Sequence, residues 1–278
     1  MSRSEVQHTL QQLKIHPSKK LGQNFLTEKR VIKTIISTSN VSQNDVVLDI
    51  GAGLGVITAE LIDLVKKVYA IEVDNRLYSY LNDKFSTYRN VEIIHGDILK
   101  IDIPAHNKVI SNIPYSITGP ILDRIFFKPS PPEGILTLER NIANRIFFSG
   151  NYKDFSRITV GINSFMIPIS KSNISKDSFY PTPRIPLTLI KIIPKIKVNS
   201  FLIEKESRTF FLQFIAGIMP FKNKNIANAI SYFLENQKDM QYTKEEIILI
   251  LQQNNFSNTK VFNYKPKDFI EISKCFYS

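Results

Sequence analysis

Asn112-Ile113-Pro114-Tyr115 sets an amide, a rigid turn and an aromatic ring in succession after Lys108-Val109-Ile110, which reads as the end of a buried strand. Pro114 has no N–H to give a ladder and restricts the residue before it, so a strand entering this tetrapeptide stops there. Asn112 and Tyr115 are left at a strand terminus, where open α/β sheets gather ligands and reacting groups. The chemistry such a set suits is attack by an amine that is a poor nucleophile, such as the exocyclic amine of a purine. Its lone pair is delocalised into the ring, and hydrogen bonds from the amine to the Asn112 side-chain oxygen and a main-chain carbonyl localise it. Pro114 fixes the turn that aims those acceptors, and Tyr115 offers a stacking surface for an unpaired base.

A second motif supplies a place for the other reactant. VVLDIGAGLGVIT (46–58) reads as a strand, a glycine-rich turn and a helix start. Gly51, Gly53 and Gly55 let the backbone bend tightly and let a ligand approach main-chain N–H groups at a helix N-terminus. The spacing differs from the G-x-G-x-x-G of dinucleotide enzymes, and no G-x-x-x-x-G-K-[ST] phosphate cradle is present. Glu72, at the end of the next strand, can accept from both hydroxyls of a ribose. Asp97, after the third, can accept from an adenine amine. Alone, a glycine turn is often only a turn, and a loop carboxylate only a solvated charge. Successive strand ends that each carry a ligand-type residue point to a nucleoside without a pyrophosphate, S-adenosylmethionine, as methyl donor.

The elements that must position these residues follow from the pattern of apolar runs. Strands are expected at 46–50, 68–73, 91–97, 108–112, 135–138 and 188–193, with helices near 29–38, 56–65, 75–86, 119–127 and 140–148. This alternation of strands and helices predicts a parallel, two-sided α/β sheet of Rossmann-like type. RITVGINSF (157–165) reads as a further strand, closing one edge antiparallel to TLIKIIP. PKIKVNS (194–200) reads as a linker, and the segments after it carry helical periodicity without strand pattern. The expected organisation is a poorly anchored arm over 1–18, a methyltransferase domain over 19–194 and a small helical domain over 195–278.

Composition bounds the partners. The chain has 278 residues, 43% hydrophobic and 22% charged, with a net charge of +11. The charge is segregated: residues 1–45 carry +4, 46–139 carry −3, 140–195 carry +7 and 196–278 carry +3. A mildly acidic centre between basic flanks favours a polyanionic partner, nucleic acid first. No apolar run approaches the length of a bilayer span, and MSRSEVQHTL lacks the apolar stretch of a signal peptide. Cys275, the single cysteine, fits a reducing compartment, and the four histidines lack ligand spacing. A cytoplasmic protein without a metal, without a membrane and acting as a monomer is expected.

Taken together, KKLGQNFL (19–26), DIGAGLG (49–55), IEVD (71–74), GD (96–97), NIPYSIT (112–118), DFSRITV (154–160) and FYPTPRI (179–185) resemble the ribosomal RNA adenine dimethyltransferases. That family includes the small-subunit enzymes of KsgA type and the Erm resistance methylases. The motifs occur in family order across roughly residues 19 to 193. The resemblance implies that Asn24 and Leu26 cover the donor near its methionine end. It places Gly51 and Gly53 at the donor, Glu72 on its ribose and Asp97 on its adenine. Asn112, with Pro114, would border both donor and target base, and Phe179 would sandwich the target adenine against Tyr115. Lys19, Lys20, Arg140, Arg145 and Arg157 are candidate contacts to RNA phosphates. Two departures bear on how RNA is held: Asn141 stands where the family has glutamate, and PFKNKNIANAI (220–230) carries fewer positive charges than its family counterpart.

The expected activity is transfer of two methyl groups from S-adenosylmethionine to adenosine N6 in ribosomal RNA, with an assembling ribosomal subunit as partner. Small-subunit RNA near its 3′ end is favoured because the tail keeps the apolar frame of that segment. Large-subunit methylation of Erm type shares every catalytic motif. A non-catalytic ribosome-assembly or transcription factor would have no need of an intact Asn-Ile-Pro-Tyr turn. DNA adenine methylation would call for a recognition domain that the short tail hardly supplies.

Overall fold

The structure, a computed structural model, describes all residues except 19, 20, 236, 238–241 and 278. Two of the candidate RNA contacts, Lys19 and Lys20, lie outside the described residues. The chain divides into two compact units. One comprises residues 1–125, 131–143 and 168–194; the other comprises 126–130, 144–167 and 195–278. The linear division at residue 194 expected from the sequence is therefore corrected, because two earlier segments belong with the C-terminal residues.

In the first unit, helix α1 (Arg3–Gln12) precedes a two-residue strand, β1 (Phe25–Leu26), and helix α2 (Lys29–Ser39). Then come β2 (Val46–Ile50), α3 (Val56–Leu61), β3 (Lys67–Glu72), α4 (Asn75–Phe85), β4 (Val91–His95) and β5 (Lys108–Asn112). Helix α5 (Thr118–Phe126) and strand β6 (Glu133–Glu139) lead to α6 (Arg140–Ile146), at the division between the units. Helix α7 (Arg157–Phe165) runs into β7 (Met166–Ile174), followed by β8 (Phe179–Tyr180) and β9 (Leu187–Pro194).

The main sheet has the order β4-β3-β2-β5-β6-β9-β7. Pairing is parallel from β4 through β6 and turns antiparallel where β6 meets β9. The chain adds β3 and β4 on one side of β2, then returns to add β5 on the other. The ends of β2 and β5 thus lie side by side at the point where strand order reverses, the place where open α/β sheets bind ligands. A side chain fastens the two ends: Ser111 Oγ donates to the Ile50 carbonyl at 2.6 Å and accepts from the Ile50 N–H at 3.2 Å.

At the other end of the same strands, a charged cluster ties four elements. Lys108 Nζ lies 3.2 Å from Glu133 and 3.7 Å from Asp45, and it donates to the Ser39 and Asn40 carbonyls. Lys191 reaches Glu133 at 2.9 Å. All four side chains are largely buried, so each charge depends on its partners.

Two expectations are corrected here. The N-terminal arm is anchored: Ser2 and Glu5 close a capping box on α1, and Val6 and Leu10, one helical turn apart, are buried with Ile15 against Phe25, Leu54 and Leu77. Residues 157–165 form a helix where a strand was expected. Ser156 caps it with Thr159, and six of its nine residues are buried, so tertiary packing overrides the β-propensity of Ile158, Thr159, Val160 and Ile162. The Ser156-x-x-Thr159 spacing was the signal for a helix start.

The second unit contains α7 and the helices α8 (Lys205–Ile218), α9 (Ile226–Leu234), α10 (Lys244–Gln253) and α11 (Asp268–Lys274). Its core is aromatic: the Phe233 ring meets Phe210 and Phe214 edge-on, at 5.8 and 5.4 Å between centroids. Among the described residues no helix is long and apolar enough to cross a membrane, and no group of three His, Cys, Asp or Glu is placed to hold a metal ion.

Candidate active site

The turn after β2 is built from left-handed glycines. Gly51, with φ +67°, lies so close to the next motif that an added Cβ would stand 2.9 Å from Pro114 Cγ. Gly22, with φ +64°, is pressed in the same way against the Tyr115 main-chain nitrogen, which an added Cβ would approach to 3.1 Å. Three segments remote in sequence (residues 21–26, the glycine turn and Asn112–Tyr115) therefore meet at backbone distance. Side chains larger than hydrogen would force them apart.

Between these segments lies a crevice of about 690 Å³, its open mouth included. Gly22, Asn24, Leu26, Gly51, Gly53, Glu72, Asn112 and Pro114 line it, with Asp49, Phe25, Leu54, Val73 and Leu77. Asn24, Leu26, Gly51, Gly53, Glu72, Asn112 and Pro114 are thus brought together as the sequence predicted. Asp97 is not part of this lining. Its Oδ1 accepts from the Leu99 N–H at 3.0 Å, the local turn bond that an aspartate after a strand commonly makes. The apolar wall of Phe25, Leu54 and Leu77 was missed by sequence reasoning, because nothing in type or spacing separates these residues from ordinary core.

Asn112 is anchored through its nitrogen. Its Nδ2 donates to the Asn24 carbonyl at 2.9 Å, while its Oδ1 is buried and has no hydrogen-bond partner among the described residues. The Tyr115 hydroxyl is likewise buried, and its polar neighbour is the Asn112 side chain, whose interaction with it opposes the rise in its pKa. Burial, with a smaller contribution from the negative charge of Glu139, pushes its pKa well above the ordinary phenol value, so Tyr115 stays neutral. Buried polar atoms without partners are costly, and an acceptor left open at a strand end awaits a donor from a ligand.

Glu72, 4% exposed, takes three main-chain N–H bonds of 2.9 Å: Gly53 at Oε2, Val73 and Asp74 at Oε1. A carboxylate has further lone pairs, so it is oriented without being saturated. Burial raises its pKa, opposed by those N–H groups. Asp49, 1% exposed, accepts from Thr58 Oγ1 at 2.8 Å, and burial lifts its pKa to about 7. The charge of Glu72 adds to that rise. Two buried carboxylates in an apolar crevice suit a cationic ligand with a ribose. S-adenosylmethionine, with its sulfonium, ammonium and ribose, fits this donor set.

Phe179 does not face the crevice. It is wholly buried in a cluster with Leu26, Ile32, Ile35, Ile174, Leu187 and Leu189, and Tyr115 packs on that cluster from its rim. Pairing of β8 with β1, Leu26 opposite Phe179, sets the first ring of FYPTPRI in the apolar cluster against which Tyr115 packs. Arg140 is exposed, whereas Arg145 and Arg157 are partly buried.

A glycine turn at the switch point of a parallel sheet, a buried acid at the end of the adjoining strand and an open amide acceptor beside them define an S-adenosylmethionine-dependent methyltransferase. Comparison with known proteins gives the finer assignment. The family profile described as ribosomal RNA adenine dimethylase matches residues 15–267, and the chain belongs to that family. A relative from Methanococcoides burtonii, named as a probable ribosomal RNA small subunit methyltransferase A, is 32% identical over 253 residues, 90% of each chain. Another of that name, from Pyrococcus abyssi, is 32% identical over 94% of this chain and 92% of its own. Among solved structures, a dimethyladenosine transferase from Plasmodium falciparum superposes with a TM-score of 0.74 at 24% identity, covering 91% of this chain and all of its own. The 23S rRNA methyltransferase ErmE gives 0.64 at 22% identity, over 91% of this chain and 99% of its own. These two likenesses establish the fold.

Proposed function

We propose that the protein dimethylates N6 of adenosine in small-subunit ribosomal RNA near its 3′ end, on the assembling subunit, as a cytoplasmic monomer. The observation that carries this reading is the buried, unpartnered Asn112 Oδ1 at the reversal of strand order. An acceptor fixed there is placed for the N–H of an incoming amine. The names of the relatives from Methanococcoides burtonii and Pyrococcus abyssi support the small subunit as target.

When bound, S-adenosylmethionine supplies an electrophilic methyl group, whose transfer forms the N6–carbon bond, breaks the sulfur–carbon bond and leaves the amine proton to solvent. Glu72 holds the ribose hydroxyls, and Asp49 presents negative charge to the cationic end. Gly51 and Gly53 keep the turn low beneath the donor. Leu26, Leu54 and Leu77 exclude water from the crevice. Asn112 Oδ1 accepts from the target amine and turns its lone pair toward the crevice. Pro114 fixes the angle of the turn, and Tyr115, neutral and seated on the core, gives the base a surface to lie on. Arg140, Arg145 and Arg157 attract RNA phosphates. No general base is required, because orientation and an activated leaving group supply what the reaction needs.

Incubation of the protein with small- or large-subunit RNA and isotopically labelled donor, followed by mapping of the modified base, tests the reading. Dimethyladenosine in small-subunit RNA is expected. Label confined to large-subunit RNA overturns the target, and label in neither overturns the activity.

A further inference from the structure

Arg3, at the first position of α1, reaches across to β8. Its Nη1 donates to the Phe179 carbonyl at 3.2 Å and its Nη2 to Thr182 Oγ1 at 3.3 Å, with the guanidinium 5.4 Å from the centroid of the Tyr180 ring. One planar fork thus grips three of the four residues from 179 to 182, a geometry that a point charge cannot reproduce. The capping box of Ser2 and Glu5 fixes the helix end from which Arg3 projects, and Val6 and Leu10 seat the helix on Phe25, Leu54 and Leu77.

The gripped segment carries Phe179 into the cluster on which Tyr115 packs. Only two residues of β8 pair with β1, supplemented by the Ser178 carbonyl, which accepts from the N–H and hydroxyl of Thr27. A two-residue strand has little register of its own, so an added tether matters to where it lies.

We infer that Arg3 is a positioning residue for methyl transfer: by clamping β8 it sets the seat of Tyr115 and so the orientation of the target adenine. The inference rests on adenine N6 as the acceptor. Its effect falls most heavily on the second transfer. The unmodified amine offers two N–H groups, either of which can meet the Asn112 oxygen. The monomethylated amine offers one, so a loosely seated base loses productive orientation first at that step.

The test measures monomethyl- and dimethyladenosine formed in small-subunit RNA by the full-length protein, together with donor affinity and melting temperature. For Arg3→Ala, donor affinity is expected within about twofold of the parent, while the dimethyl-to-monomethyl ratio at matched turnover falls roughly tenfold, the scale of a small misplacement of reacting groups. Thr182→Val shifts the ratio in the same direction by less, and Arg3→Lys, which keeps the charge but loses the two-nitrogen fork, falls between parent and Arg3→Ala. An unchanged ratio overturns the inference. So does an equal fall of both products alongside lower melting temperature, because a shrinking folded fraction leaves their ratio alone. Absence of all label with the parent protein removes the functional reading and this inference with it, an outcome distinct from the other two.

Discussion

The side-chain amide of Asn112 is oriented by the main chain of Asn24. Its Nδ2 stands 2.9 Å from the Asn24 carbonyl oxygen, which can only accept, so the nitrogen must face it and Oδ1 must face away. A residue from before the first long strand thereby decides which atom of the Asn112 amide faces away from the Asn24 main chain. Asn112→Asp is predicted to fail although its shape is preserved, because a carboxylate oxygen would oppose the carbonyl. Both Asn112→Asp and Asn112→Ala are expected to lose about 10²–10³ in kcat. Single-turnover transfer of labelled methyl checks this, and calorimetry should find the donor still bound.

Gly51 is predicted to be intolerant of alanine. Its left-handed backbone alone costs about 1–2 kcal/mol with a side chain. The added Cβ would also stand 2.9 Å from Pro114 Cγ and push the reactive turn off its seat. Lower stability in urea titration and at least a tenfold weaker donor affinity are expected, while Gly119→Ala, with open space around it, serves as a comparison for stability.

Asp49 makes donor binding depend on pH near neutrality. Its pKa in the folded protein is about 7 against an ordinary 3.8, so it is largely neutral at pH 6 and largely ionised at pH 8. A cationic donor favours the ionised form, and affinity measured by calorimetry is expected to rise across that interval and to flatten in Asp49→Asn. Stability of the ligand-free protein moves the other way. The folded state binds more protons than the unfolded between pH 3.8 and 7, so this group's contribution to stability declines as pH rises through that window.

Lys108 is predicted to be a strong determinant of stability. With side-chain exposure near 10%, it neutralises Asp45 and shares Glu133 with Lys191, so Lys108→Met leaves the buried Asp45 without a cation. Removing one member of such a buried cluster costs about 3–5 kcal/mol. Chemical denaturation should show a loss of that size, and an unchanged midpoint would contradict it.

RNA affinity is expected to fall linearly on a logarithmic scale of salt concentration, because phosphate contacts release counterions. Replacing Arg140 or Arg145 with glutamine should weaken binding to any RNA sequence and reduce the slope by about 1 each. Filter binding over a range of potassium chloride measures both; a slope indifferent to these arginines would remove them from the RNA interface.

Much of the donor site was readable from sequence because its parts lie at strand ends. Gly51, Glu72 and Asn112 each follow a run of β-branched residues, and alternation of strands with helices places such ends along one edge of a parallel sheet. Ser156 and Thr159 show how a readable signal can be overridden: the capping pair announces a helix, yet the β-branched residues Ile158, Thr159, Val160 and Ile162 suggested a strand. Propensity reports on neighbours along the chain, and packing against remote elements overrides it.

The amino-acid order by itself determined the chemistry on offer: a tight glycine turn, an acid at the next strand end, and an amide locked beside a proline and a tyrosine. Only the tertiary structure decided how these act together. The sheet order sets β2 beside β5 across two intervening strands, and the Asn24 carbonyl chooses the orientation of Asn112. Pairing of β8 with β1 buries Phe179, and α1 packs on both the crevice wall and Tyr180 of β8. Each of these depends on contacts between residues far apart in sequence, which are won by competition for burial among all elements at once and leave no local trace.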